Sequence, residues 1–176
     1  MDTSNSGNYI NNSGTIDSVV QQQGSLMDRF HGLFPNSDSH AYDVALSYAG
    51  EQVRLVSRVA KLLEAENLRV FFAPDREAEF IGEDMYAKFY RIYRYESRYV
   101  AAFVTADYLK KEITMHEAAT AMLRRRDEKR NCLIPIYFDG ASLPNLDADI
   151  NYIPGDGLRE VEIADKIRGV IRNSGR

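Results

Sequence analysis

From Ala41 onward the chain alternates short apolar runs with longer stretches whose apolar residues recur at helical spacing. No other feature restricts the fold as much, because strands separated by helices close into a parallel sheet with helices packed on it. Strands buried on both faces read as continuous apolar runs. Such runs fall near 43–48, 68–72, 99–105 and 132–138, with a short one near 150–153. Between them lie helical stripes. The stretch 51–66 carries Val53, Val56, Val59, Ala60 and Leu63 on one face; others fit 83–95, 114–129 and 160–173, the last with Ile163, Ile167 and Ile171 at i, i+4 and i+8. Five strands with four or five helices suit a flavodoxin-like α/β fold, a five-stranded parallel sheet with helices on both faces. Ligands of such sheets bind beyond the carboxyl ends of the strands. Attention therefore goes to Tyr42 through Glu51, which reads as a buried strand breaking directly into a polar loop and a helix.

The chain has 176 residues, enough for one domain with a full core plus a tail, and too few for a second domain. Residues 1–40 form the expected tail and linker and 41–176 the domain. A net charge of −4 supplies no basic field for nucleic acid. No apolar run reaches about 18 residues, and the N-terminus lacks the basic-then-apolar pattern of a signal peptide, so the expected location is cytoplasmic, without a membrane partner. The single cysteine, Cys132, opens the apolar run 132–138 and is expected to be a core thiol.

Residues 1–26 are rich in Asn, Ser, Gln and Gly and carry only Asp2 and Asp17 as charges, a composition that cannot bury a core. Within them, 9–24 combines β-branched residues, amides, low charge and no proline, which is a cross-β signature. A disordered polar leader is the other reading. Residues 26–34 fit a short amphipathic turn, and 35–39 a linker.

Several residues invite a functional reading beside a plain one. Ser47 and Tyr48 end the first strand, where a hydroxyl can meet a phosphate or ribose and a ring can stack on a base; taken as isolated residues, packing at a strand end is their more frequent role. Phe80 is a large apolar residue in a loop, either an anchor into the core or a contact to ligand or partner. Thr114-Met115-His116-Glu117 has the form of a capping box, in which Thr114 accepts the Glu117 N–H and the glutamate reaches back to the Thr114 N–H. Tyr86, Tyr90 and Tyr93 beside Arg91, Arg94 and Arg98 have the composition of a base-stacking surface, but the three rings share one helical stripe, which favours packing. Arg124-Arg125-Arg126 reads as a solvated basic end that complements a helix dipole. In His116–Thr120 a threonine stands where HExxH needs its second histidine, so no metal site is expected. The Rossmann glycine fingerprint, the P-loop and the GxSxG elbow are absent, against a dehydrogenase, a P-loop ATPase and a serine hydrolase.

Three blocks together resemble TIR (Toll/interleukin-1 receptor-like) domains over roughly 42–172. The stretch 42–51 resembles the family's first conserved box. Residues 70–75 followed by 80–85 resemble its second strand and BB loop. Residues 97–105, then Tyr108 and Glu117, resemble the third strand leading to the catalytic-glutamate helix of the NAD-consuming branch. The resemblance implies an NAD+ glycohydrolase or ADP-ribosyl cyclase that releases nicotinamide in immune or antiphage signalling, with NAD+ as substrate and no further cofactor. Glu117 is then the catalytic carboxylate. Ser47, Tyr48, Phe80 and Ile113 border the substrate. It also implies other TIR protomers as partners, with self-assembly as the switch, and the 9–24 stretch loosely resembles short amyloid-signalling motifs that an upstream sensor would share. The sequence departs from many NAD-cleaving relatives at three positions: Ile113 and Ile81 stand where tryptophans are common, and Ala73 where an aspartate is frequent. A non-catalytic adaptor acting through TIR–TIR contacts is the rival reading. The missing tryptophans favour it, and Glu117 after Tyr108 disfavours it.

Overall fold

The structure, a computed structural model, describes residues 40–75, 81–82, 84–146 and 150–173. The expected tail and linker with the 9–24 motif, and Phe80, lie outside the described residues. Five strands, β1 (Tyr42–Tyr48), β2 (Val70–Phe71), β3 (Ser97–Val104), β4 (Leu133–Tyr137) and β5 (Ile153–Pro154), form one sheet in the order β2-β1-β3-β4-β5. All four pairings are parallel. This is the expected flavodoxin-like order. Its switch point lies between β1 and β3, where the chain leaves β1 toward one edge of the sheet and later returns on the other side.

The helices are α1 (Val53–Ala65), α2 (Met85–Arg91), α3 (Ala106–Lys110), α4 (Glu112–Glu128) and α5 (Glu160–Asn173). Alternation along each strand sends side chains to two separate cores. Val44, Leu46, Tyr99, Ala101, Phe103, Ile134 and Ile136 meet α1 and α5 through Val56, Val59, Leu63, Ile163 and Ile167. Ala45, Val100, Ala102, Val104 and Leu133 face the other way, toward Phe89, Tyr93, Tyr108, Ala118 and Ala121. The small residues Ala45 and Ala102 on that face suit a helix as close as α4, which presents alanines in return. Cys132 is buried in the core as expected, with Sγ 3.6 Å from the Ala121 carbonyl oxygen.

Several local expectations are corrected. Val53 opens α1 and remains exposed, off the buried stripe. The helix expected over 83–95 is α2 followed by a π turn, Ile92–Glu96; Asp84 starts it by accepting from the N–H groups of Tyr86 and Ala87. The last helix before β4 begins at Glu112, so Thr114 is inside the helix and the capping box does not form. The Thr114 hydroxyl bonds backward, to the carbonyls of Tyr108 (2.5 Å) and Lys111 (3.0 Å), tying α4 to the end of α3. Arg124 is not a solvated basic end. It is 1% exposed; its guanidinium donates to the Ser97 carbonyl and to Glu128, and touches His40. The strand near 150–153 is the two-residue β5 at Ile153–Pro154.

Candidate active site

The carboxyl ends of β1 and β3 and the first half of α4 converge on Glu117. Because Ser47 follows Ala45 by two residues, its side chain points to the α4 face of the sheet, away from α1. There its hydroxyl donates to Glu117 Oε2 at 2.5 Å and lies 2.6 Å from the Tyr108 hydroxyl. Ser47 has one proton. With that proton on the carboxylate, Tyr108 must be the donor to Ser47 Oγ, so the order is Tyr108 to Ser47 to Glu117. Tyr108 is fully buried and comes from α3, which Thr105 caps by accepting the Tyr108 N–H at 3.1 Å. On the other side stands Tyr93, in the π turn; its hydroxyl lies 3.1 Å from the Leu46 carbonyl oxygen and within hydrogen-bonding reach of Glu117, two acceptors that share its one proton.

Burial raises the Glu117 pKa to about 8, against the opposing hydrogen bonds from Ser47 and Tyr93. The phenols respond to the same environment. Burial, and then the nearby Glu117 charge, push Tyr93 and Tyr108 well above the ordinary tyrosine range, and Tyr48 is raised for the same two reasons. A strongly perturbed acid with specific polar partners at a switch point has the physical profile of a functional group.

An open cleft of about 450 Å³ lies beside this cluster, lined by Tyr48, the neighbour of Ser47, by Tyr86 and Lys111, and by the first three residues of α4, Glu112, Ile113 and Thr114, the last of them one turn before Glu117. Tyr48 and Ile113, expected to border the substrate, both line this cleft. The Tyr48 ring stacks on Phe72 with centroids 5.5 Å apart. Ser47 and Glu117 are buried behind the lining: Ser47 has no exposed surface and Glu117 is 5% exposed. Ser47 therefore touches the acid and not the cleft. Sequence reasoning missed Tyr86 as cleft wall and Tyr93 as partner of Glu117, having assigned both to packing. Their helical spacing is that of core residues, and only the π turn brings Tyr93 to the carboxylate. The Tyr86 ring is held edge-on to His116, centroids 5.6 Å apart. Among the described residues no group of three His, Cys, Asp or Glu side chains is placed to hold a metal, and no helix is long and apolar enough to cross a membrane.

Fold and site together define a doubly wound α/β domain with a buried carboxyl group at the switch point of its sheet. The chain belongs to the TIR family: the family model described as TIR domain matches residues 44–168. It is similar to the 3′ cyclic ADP-D-ribose synthase AaTIR of Aquimarina amphilecti, with 34% identity over 134 residues, 76% of this chain and 41% of that protein. The chain thus spans less than half the length of this curated relative. The crystal structure of the TIR domain of the Toll-related receptor TRR-2 from Hydra magnipapillata superposes with a TM-score of 0.52 at 16% identity, covering 76% of this chain and 94% of that one, a likeness of fold.

Proposed function

We propose that this chain is an NAD-consuming enzyme of the TIR type, releasing nicotinamide, with Glu117 as the catalytic carboxylate. The observation that carries the reading is the Glu117 carboxyl group, buried behind the cleft and hydrogen-bonded by Ser47, which Tyr108 holds in turn. Relatedness to a protein named as a cyclic ADP-ribose synthase supports the same chemistry.

The chemistry asks little of the protein beyond an anion held in position. The bond between the ribose and the nicotinamide nitrogen breaks, its electron pair stays with the ring, and the cationic pyridinium leaves as a neutral base. No general acid is required. Positive charge accumulates on the ribosyl carbon and ring oxygen, and a preorganised carboxylate stabilises it, much as the second carboxylate does in glycosidases. Water then captures the cation, giving ADP-ribose and a proton, or an atom of the same nucleotide does so and the product is cyclic. The name of the relative favours the cyclic outcome.

In the free enzyme a carboxyl titrating near 8 is mostly protonated at neutral pH. A pyridinium entering the cleft favours the ionised form and expels the proton. Tyr48 and Ile113 wall the substrate, and Ser47 orients the carboxylate. NAD is substrate, and no separate cofactor is invoked. Self-assembly through TIR contacts, assisted by the 9–24 stretch, would raise activity by local concentration; an upstream sensor sharing that stretch and a cytoplasmic immune or antiphage role complete the proposal.

A second reading, a non-catalytic adaptor, draws on the exposed apolar surface at Ile81 and Met85, 82% and 44% exposed. Incubating concentrated protein and its Glu117→Ala variant with NAD, with products identified by chromatography and mass spectrometry, separates the two. Nicotinamide release by the wild type alone supports the enzyme. No release by the folded wild type at any concentration supports the adaptor.

A further inference from the structure

At the mouth of the cleft, Lys111 Nζ is held by both carboxylate oxygens of Glu51, at 2.7 and 2.6 Å. Glu51 belongs to the turn that directly follows β1, and Lys111 links α3 to α4 and lines the cleft. Among the described residues, the charges of Asp75 and Glu117 act on Tyr48 of the lining. Lys110 pairs with Asp107 at 3.0 Å, Asp107 also acts on Glu51, and Glu112, which lines the cleft, acts on His116. With Lys111 neutralised by Glu51, the described lining presents the Glu112 charge alone, which suits the cationic pyridinium end of NAD and repels its anionic end. Among the described residues Lys111 is the one cation on the lining.

We propose that Lys111 is the diphosphate-binding residue of this cleft and that Glu51 is a latch that holds it until the substrate arrives; the inference rests on the NAD-consuming reading above. Lys111 and Glu51 are 42% and 53% exposed, so their pair is screened by water and holds weakly. A diphosphate carries two negative charges and offers the ammonium more acceptor oxygens than one carboxylate does. The exchange is therefore favourable, and the Glu51 carboxylate turns to solvent. Lys111 acts as a point charge on a flexible stem, able to swing from one acceptor to the other without movement of the backbone.

The two partners then have opposite effects on binding, which a merely structural ion pair cannot produce. ADP-ribose, which keeps the diphosphate and lacks nicotinamide, is titrated calorimetrically into the wild type, Lys111→Ala, Lys111→Arg and Glu51→Gln, at low and at physiological salt. Lys111→Ala weakens binding about tenfold, Lys111→Arg restores most of it, Glu51→Gln tightens it, and added salt narrows the differences. In NAD turnover, Lys111→Ala raises KM and leaves kcat nearly unchanged, the pattern of lost uniform binding. Equal ADP-ribose affinity in wild type and Lys111→Ala overturns the inference, as does weaker binding in Glu51→Gln or no binding by the wild type. Binding through Lys111 without nicotinamide release would instead overturn the enzymatic reading and leave this one standing.

Discussion

Burial penalises the ionised form of Glu117 by more than the hydrogen bonds from Ser47 and Tyr93 stabilise it, so its carboxyl titrates near 8 and not near 4.5. The first prediction follows from the sign. A raised carboxyl pKa contributes stability that is fully present below about 4.5 and is lost as pH rises to about 8. Glu117→Gln removes that loss while keeping an acceptor for Ser47. The variant should therefore gain stability over the wild type as pH goes from 5 to 9, by on the order of a few kcal/mol and read as a higher Tm, while turnover falls ~10²–10³-fold. In the wild type kcat/KM should rise with pH and level off above about 8; a flat profile through this range contradicts the assignment. The second prediction concerns Ser47→Ala. Removing the donor that lowers the Glu117 pKa moves the profile to higher pH, and the Tyr108 hydroxyl, left buried without its acceptor, costs about 1–3 kcal/mol of stability in thermal unfolding. A profile unmoved by the substitution would reduce Ser47 to packing. Of these residues Glu117 and Tyr108 were singled out in the sequence by the resemblance to the NAD-consuming branch of the family. It did not disclose that Ser47 turns inward to the acid, since that depends on which helix covers which face, nor that Tyr93 joins it.

At the scale of elements, strands were legible because burial on both faces leaves an apolar run, and α1 and α5 because each shows one apolar stripe to the sheet. Helix α4 was harder. Its buried face carries Thr114, Glu117, Thr120 and Arg124 among alanines, a polar stripe that apolar periodicity cannot place, so a local capping pattern fixed its start too late. The π turn after α2 was hidden because one additional residue per turn leaves no mark on composition. Two predictions belong here. The first turn of α4 lines the cleft, and Ile113 is only half-buried there. Ile113→Trp should fold and keep or raise NAD turnover by adding a stacking face; an aggregating variant would mark Ile113 as core. Gly155, just after β5, donates its N–H to the Tyr137 carbonyl at 2.8 Å, and a Cβ there would lie 2.4 to 2.8 Å from three ring atoms of Phe138. That ring is buried and stacked with Phe103, so it cannot swing clear. Gly155→Ala should destabilise by about 1–3 kcal/mol, read as a lower denaturation midpoint with the same m-value; an unchanged midpoint would mean that β5 shifts freely.

For the whole molecule the question is how a small domain with a buried acid would be controlled. The TIR match occupies 44–168, and the first 26 residues carry two charges among amides, serines and glycines. If 9–24 stacks in register, amide ladders reinforce the stack and chains gather at high local concentration. A positive charge repeated in every layer opposes it by like-charge repulsion. Deleting residues 1–26 should then leave the domain folded and lower NAD turnover at low protein concentration, with high concentration restoring it. Ile16→Lys combined with Val19→Lys should reproduce the deletion. The readout is specific activity against protein concentration, together with fibril formation by a 9–24 peptide. A truncated protein that matches the full chain at every concentration, with a peptide that forms no fibrils, would leave the tail a polar leader and put the control of Glu117 within the domain.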